Sequence, residues 1–367
     1  MHAAPRRLPA LVTVLARAAF PAAAGCAAAA ALACAALVAA GVAPAATLAC
    51  GACGAAPAQG REGAPPIDGI SDQGLPPLSG PGATGPLRAL VADPPEDEQG
   101  PIGLARYVVQ WDALAEPPGG AEYGRRLEAW LSDAAAAGLV RVLAPTSYGG
   151  APPAVGEYGV ELRATLARAR ALGAPVAWVE PWNEPNNQGR APATLAAEYA
   201  DVAHAVCAEL ACGIVAGDLE DAPGALSYER AYEAALDFAP RTWGVHPYRS
   251  VSARDDAPLL ELRAALPPGA RLWFTEVAAA YCRRGSVVGE AAQAQEAAYL
   301  RRLVAAIDPV HTFYYGIRYA DPVPGACGAS SGEDTQLFGT DGHPRAAAMV
   351  LLGGAAGPLA AFGPAPA

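Results

Sequence analysis

The chain carries 367 residues, with 36 acidic against 25 basic side chains, a formal net charge of −11 and 53% hydrophobic residues. A balance this acidic argues against nucleic acid or anionic lipid as partner and leaves a neutral partner such as a polysaccharide compatible. Every basic residue is arginine, and alanine, glycine and proline abound, a pattern of GC-rich codon usage that says little about chemistry.

The start differs in kind from the rest. Arg6 and Arg7 precede an alanine-rich apolar run that is interrupted by Arg17 and then continues without a charge from Ala18 to Arg61. The run reads as the n-region and h-region of a signal peptide, with Ala43-Pro44-Ala45 offering small residues for cleavage. It is also long enough to span about 30 Å of hydrocarbon as a membrane anchor. Thr47-Leu48-Ala49-Cys50 resembles a lipoprotein cleavage box in which Thr47 replaces the usual branched apolar residue. All three readings expect the body of the chain to be exported, secreted or held at the cell surface. Residues 1–49 are therefore taken as the leader and 50–66 as a low-complexity tether.

Four cysteines (Cys26, Cys34, Cys50, Cys53) lie in that start and four (Cys207, Cys212, Cys282, Cys327) in the body. The second set allows three pairings. A local clip between Cys207 and Cys212 is expected, with Cys282 and Cys327 joined because they follow the last two predicted strands; free buried thiols are the alternative. Cys50-Gly-Ala-Cys53 has no second half, and His204, His246, His311 and His343 show no ligand spacing, so neither a metal nor an organic cofactor is expected.

From Ile67 onward, strand-like and helix-like segments alternate. Strands are predicted over 67–72, 104–111, 139–145, 176–182, 213–218, 242–247, 272–277 and 312–318. Helices are predicted over 86–91, 123–137, 157–172, 192–210, 226–238, 257–266, 289–307 and 345–352, with 353–367 as a tail. Strands alternating with helices of this length imply βαβ units and a parallel sheet. Eight such units between residues 67 and 352 fit a (β/α)₈ barrel, the TIM-barrel architecture; a doubly wound open sheet is the rival, but the first strand lacks a glycine-rich phosphate turn.

A barrel of this kind collects its reactive side chains where the strands end. The fourth strand closes on Trp182-Asn183-Glu184-Pro185, and the seventh reads Arg271-Leu-Trp-Phe-Thr-Glu276. The sixth ends His246-Pro-Tyr248, and the second carries Arg106 in Ala105-Arg-Tyr-Val-Val-Gln-Trp111. Two carboxylates across one rim are the equipment of glycoside hydrolysis, in which one protonates the leaving oxygen while the other attacks the anomeric carbon, about 5 to 5.5 Å away when configuration is retained. Arg106 near Glu276 would keep that carboxylate ionised, while burial beside Trp182 and like charge would leave Glu184 protonated. Tyr248 is placed to hydrogen-bond the nucleophile and Asn183 to grip a sugar hydroxyl.

These residues resemble those of the clan A retaining glycoside hydrolases, in which Trp-Asn-Glu-Pro stands on the fourth strand, His-x-Tyr on the sixth and Thr-Glu on the seventh. The resemblance spans the whole barrel and is nearest in outline to families 39 and 5. It implies Glu184 as acid/base, Glu276 as nucleophile, and Arg106, Asn183, His246 and Tyr248 as their companions. The chain departs from the pattern at its eighth strand, where Thr312-Phe-Tyr-Tyr315 stands in place of a tryptophan that floors the sugar site. Its third strand, ending Ala144-Pro-Thr-Ser-Tyr148, lacks the histidine of many relatives, and no room remains for the β-sandwich of several family 39 enzymes. The implied activity is hydrolysis of O-glycosidic, β-configured bonds by double displacement, on a glycoside or an oligo- or polysaccharide.

Each residue also has a plainer role open to it. Arg106 can neutralise carboxylates in the barrel mouth, and His246 can be a satisfied structural histidine. Glu180 reads as a supporting carboxylate, while Asp218 and Asp321 either meet sugar hydroxyls or cap helices. Trp111, Tyr148, Trp182 and Tyr315 can stack on sugar faces or belong to the core. Two further classes compete for the whole chain: a carbohydrate-binding barrel without turnover, and a metal-dependent hydrolase.

Overall fold

Parallel strands form the wall that positions everything else. The computed structural model describes residues 67–73, 102–115, 120–148, 150–187, 191–283, 286–316, 334–339 and 343–352. The expected leader, tether, helix at 86–91, tail at 353–367, Asp321 and Cys327 lie outside them. Chain contacts divide the protein into Met1–Gln59 and Gly60–Ala367, and every described residue belongs to the second unit.

In chain order the strands are β1 Gly69–Gln73, β2 Leu104–Gln110, β3 Val140–Thr146, β4 Trp178–Val179, β5 Gly213–Ile214, β6 Ala216–Glu220, β7 Thr242–His246, β8 Arg271–Val277, β9 Cys282–Arg283, β10 Ser286–Val287 and β11 Thr312–Tyr315. Nine of them make one sheet in the order β5-β4-β3-β2-β1-β11-β8-β7-β6. Every pairing in it is parallel. Its two ends, β5 and β6, are consecutive pieces of one stave flanking Val215, so the sheet closes on itself into an eight-stave (β/α)₈ barrel, as the alternation predicts. The short hairpin β9–β10 stands apart from the wall.

The helices are α1 Gly120–Ala136, α2 Val155–Ala171, α3 Ala193–Leu210, α4 Ala225–Ala235, α5 Tyr248–Ala253, α6 Ala257–Ala265, α7 Glu290–Ile307 and α8 Ala346–Leu352. In α2 the buried positions are Tyr158, Leu162, Thr165, Leu166 and Ala169, a helical stripe that faces the wall. Pro192 precedes α3, and Ala211 in the left-handed region ends it. Cys207 in its last turn and Cys212 just beyond its end form the expected disulfide. Cys282 is also disulfide-bonded. No helix among the described residues is long and apolar enough to cross a membrane.

Four elements differ from the sequence expectation. The fourth stave pairs over two residues where seven were predicted, because prolines at 175, 181 and 185 remove amide donors along it. The fifth stave breaks at a register shift between Gly217 and Leu219. The single turn α5 and the hairpin β9–β10 are unforeseen, being too short to carry a periodic signal.

Inside the wall the lowest layer holds Leu104, Val142, Val215, Trp273 and Phe313, with Trp178 packed against them. The aromatic rings fill the barrel because facing staves give way to them. A Cβ on Gly213 would lie 2.3 Å from Trp178, and one on Gly69 would lie 2.5 Å from Phe313. Strand alternation then decides what stands in the next layer. Arg106, Glu180, Thr275 and Ser71 each follow a member of that floor, or a glycine beside it, by two residues. An apolar floor thus carries a polar layer that opens toward the C-terminal ends of the staves.

Candidate active site

Arg106 is the centre of that polar layer. It is completely buried, and it spends its donors on five partners. Nε donates to Oε2 of Glu180 at 2.6 Å. Nη1 donates to Oγ of Ser71 at 2.9 Å and to Oε1 of Glu276. Nη2 donates to Oδ1 of Asn183 at 2.7 Å and to Oδ2 of Asp218 at 2.8 Å. Three carboxylates on one guanidinium are tolerable only if their charge is shared out, since each buried ion is costly to desolvate.

Protons and a second cation do the sharing. Burial, reinforced by Asp218, pushes the Glu180 carboxyl well above the ordinary range against the pull of Arg106. Its Oε1 is buried without a hydrogen-bond partner. That shift favours the protonated form of Glu180, which leaves Arg106 to face Asp218 and Glu276. Replacing Glu180 with glutamine should leave fold and activity close to wild type, with thermal stability within about 1 kcal/mol; alanine there strands Nε and should cost about 1 to 3 kcal/mol in thermal unfolding.

Asp218 is fully buried. Burial opposes its charge, but Arg106 and His246 outweigh burial and hold its carboxyl well below the usual range. His246 is likewise completely buried. Its Nε2 lies 2.8 Å from Oδ1 of Asp218 and its Nδ1 2.9 Å from Oε1 of Glu184. Burial works against a charge on the ring, yet the carboxylates of Asp218 and Glu276, with hydrogen bonds to Asp218 and Glu184, raise its pKa well above the ordinary imidazole value. The raised pKa favours the imidazolium, a second cation in which both ring nitrogens donate.

Glu184 and Glu276 meet at this imidazole. Nδ1 of His246 is 3.7 Å from Oε2 of Glu276, and ligand atoms of Glu184, His246 and Glu276 all lie within 4.8 Å of one another. Glu276 accepts from Arg106 and, through Oε2, from the phenol of Tyr248 at 2.7 Å. Burial, and then the neighbouring carboxylates, push the Tyr248 pKa well up, so it stays a donor. Glu184 accepts from His246 and from Nδ2 of Asn187 at 2.8 Å.

Local backbone holds these groups in place. Glu184 has φ 45° and Asp218 φ 54°, left-handed conformations that cost a non-glycine residue about 1 to 3 kcal/mol. The N–H of Glu184 donates to the carbonyl of Asp218 at 3.1 Å, so the two unusual residues support each other. Asn186 pairs with the main chain of Glu220 through both its amide atoms, at 2.7 and 3.0 Å. Asp221 accepts the N–H groups of Arg249 and Ser250 at 2.8 and 2.7 Å, capping the first turn of α5, whose first residue is Tyr248.

The remaining sequence candidates fall elsewhere. Trp182 is buried and its ring turns outward, stacked on Tyr199 of α3 and edge-on to Tyr158 of α2; this is a packing position in the core between wall and helices. Trp111 is half-buried and packs against the main core. Tyr148, also half-buried, stacks on Tyr123 and donates to the carbonyl of Val108 at 2.7 Å. Tyr314 is fully buried and donates to the carbonyl of Thr335 at 2.8 Å. Tyr315, half-buried and paired in register with Ser71, remains at the rim. Sequence reasoning passed over Ser71, Thr275, Asn187 and Asp221. Thr275 stands inside the quoted Thr-Glu element with no role assigned to it and Asn187 lies just beyond Trp182-Asn183-Glu184-Pro185, whereas Ser71 and Asp221 carry no local signal.

No family model matches the chain, and no curated protein does. Solved structures do share its fold. SrfJ from Salmonella typhimurium matches with a TM-score of 0.56 at 12% identity, covering 82% of this chain and 76% of its own. The GH53 catalytic domain of Ignisphaera aggregans gives 0.52 at 15% identity, with 78% and 95% covered. A glycoside hydrolase family 17 β-1,3-glucanosyltransferase from Rhizomucor miehei gives 0.50 at 12% identity, with 75% and 94% covered. The fold is thus one that glycoside hydrolases use; at these identities the likeness extends to the fold alone.

Proposed function

We propose that the chain is a retaining glycoside hydrolase, with Glu276 as nucleophile and Glu184 as acid/base, acting on β-configured O-glycosides. One observation carries the reading: two buried carboxylates from opposite parts of the wall face each other within 4.8 Å. A separation of that order suits direct attack by one of them, since retaining enzymes hold the pair about 5 to 5.5 Å apart and inverting ones about 6.5 to 9.5 Å. In the first step Glu276 attacks the anomeric carbon while Glu184 gives its proton to the departing oxygen. In the second, Glu184 takes a proton from water, which displaces Glu276 and restores both groups. Arg106 and Tyr248 donate to Glu276 and aim it, and Asn183 is held by Arg106 beside the reacting centre.

At the level of family, the motif outline supports clan A, with families 39 and 5 nearest by their residues. The sugar is set by the rim. Tyr315 takes the place of the usual tryptophan in this reading, and the net charge of −11 favours a neutral glycan. Export belongs to the same proposal, supported by the Arg-then-apolar leader and by the Cys207–Cys212 bridge, since disulfides persist in oxidising compartments.

The spacing of Glu184, His246 and Glu276 would also suit a divalent cation, which would assign the site to metal-assisted hydrolysis. A panel of aryl β-glycosides, followed by proton NMR of the first product anomer with and without EDTA, separates the two. Double displacement gives the β-anomer first, at a rate EDTA leaves unchanged. An α-anomer formed first, or turnover that EDTA abolishes, rejects the reading.

A further inference from the structure

Asp218 touches the surroundings of both catalytic carboxylates. Its Oδ2 accepts from Arg106, whose other arm grips Glu276. Its Oδ1 accepts from Nε2 of His246 and from Oγ1 of Thr275 at 2.7 Å, and its carbonyl accepts the N–H of Glu184. The chain accommodates this at some cost. Asp218 sits at the break in the fifth stave with φ 54°, and Gly244 opposite it has no side chain, where a Cβ would lie 3.3 Å from the Asp218 backbone and 2.9 Å from Thr275.

Resting on the glycosidase reading above, we propose that Asp218 is a positioning residue for the acid/base, acting through His246. An ionised carboxylate on Nε2 fixes the ring so that Nδ1 carries a proton directed at Glu184 Oε1, and it keeps the ring cationic beside two carboxylates. The imidazolium then stabilises the carboxylate that Glu184 becomes once its proton has left with the aglycone. The groups around the ring are Asp218 from the fifth stave, Glu184 after β4, Glu276 from β8 and the Tyr248 ring of α5, whose centroid is 5.9 Å away. Arg106 reaches the ring through Asp218 and, at longer range, through Glu276. The sign follows from these charges. Without Asp218 the ring loses an anionic partner and becomes neutral at lower pH, and Glu184 then loses its cationic neighbour and ionises at higher pH.

The test is Asp218→Asn, which keeps shape and tolerates the left-handed backbone, with Asp218→Ala as a second variant. Nitrogen-15 NMR of the imidazoles, with His246→Asn to assign the signal, should find His246 doubly protonated through pH 8 in the wild type and titrating at least one pH unit lower in Asp218→Asn. In kinetics, kcat/KM for alkyl β-glycosides, whose leaving group needs a proton, should fall about 10²-fold. For a dinitrophenyl β-glycoside it should change less than about threefold, while the alkaline limb of the pH profile moves up. A neutral His246 in the wild type, or an unchanged imidazole titration in both variants, overturns the proposal whether or not the protein turns over a glycoside. An equal loss for both leaving groups with an unmoved alkaline limb also overturns it, by reducing Asp218 to a packing role. Absence of wild-type turnover alongside a cationic, Asp218-dependent His246 would instead count against the glycosidase reading alone.

Discussion

Replacing Glu276 with alanine should lower kcat/KM on an aryl β-glycoside by roughly 10⁴- to 10⁶-fold, the scale of loss when a covalent nucleophile is removed. Azide should restore part of that rate. The alanine leaves a gap the size of a carboxylate, bordered by the donors of Arg106, Ser71 and Tyr248 that formerly faced Glu276. A small anion fits such a gap and attacks the anomeric carbon from the same side. The product should be an α-glycosyl azide, with one inversion in place of two. Removing Glu184 should act differently: activated leaving groups, which need no proton, should still form the glycosyl-enzyme, and azide should yield the β-glycosyl azide. A Glu276→Ala variant that kept wild-type turnover would falsify the mechanism.

Replacing Arg106 with methionine should have the largest effect on stability. Methionine occupies comparable space but leaves Asp218, Glu276 and Glu180 around a site with no guanidinium. Breaking a buried ion pair on one side costs about 3 to 5 kcal/mol, which for a domain of this size lowers the melting temperature by about 10 °C. The deficit should depend on pH. In the wild type, the depressed Asp218 carboxyl contributes stability above its unfolded value of about 3.9 and loses that contribution only as pH falls through its lower folded value. In the variant the stranded carboxylates take up protons more readily, so the gap between the two proteins is widest near neutrality and narrows toward pH 4.5. Thermal melts at pH 7 and pH 4.5 measure it. A gap that widened on acidification would mean that Arg106 is not the counterion of these groups.

The barrel and much of its mouth were legible from the chain because two signals are local. Alternating strand and helix patterns repeat eight times, and Glu184 and Glu276 each stand at the end of an apolar strand where solvent access begins. Arg106 was legible as a charged residue within an otherwise apolar strand, which demands buried partners. Their identities were not, since Glu180, Asp218, Asn183 and Ser71 come from three other staves and meet only when the sheet closes. Trp182 shows the opposite difficulty. An aromatic residue beside a catalytic glutamate suggests a sugar platform, but the side chain before Asn183 points away from the mouth toward α2 and α3, where the rings of Tyr158 and Tyr199 wait for it. Asp218 was named only as a strand-end carboxylate. Its role depends on a register shift in the fifth stave, a feature of strand pairing that no single segment encodes.

In the proposed mechanism, catalytic and supporting acids differ in how they are buried. Four carboxylates share the layer above the floor, and what distinguishes them is exposure and partners. Glu180 and Asp218 are sealed at 0% exposure, whereas Glu184 and Glu276 retain 8% and 5%. A buried carboxylate that no substrate can reach holds others in place; one at the edge of the layer can react.

Covalent trapping tests the central assignment most directly. The wild-type protein, incubated with a 2-deoxy-2-fluoro β-glycoside bearing a dinitrophenyl leaving group, should form a long-lived glycosyl-enzyme, because the fluorine slows the second step more than the first when the leaving group is this good. Intact mass should rise by one fluoroglycosyl unit, and peptide mapping should place that unit on Glu276. An adduct on Glu184 or Glu180, or steady turnover of the parent glycoside with no adduct from its fluorinated analogue, would contradict the account.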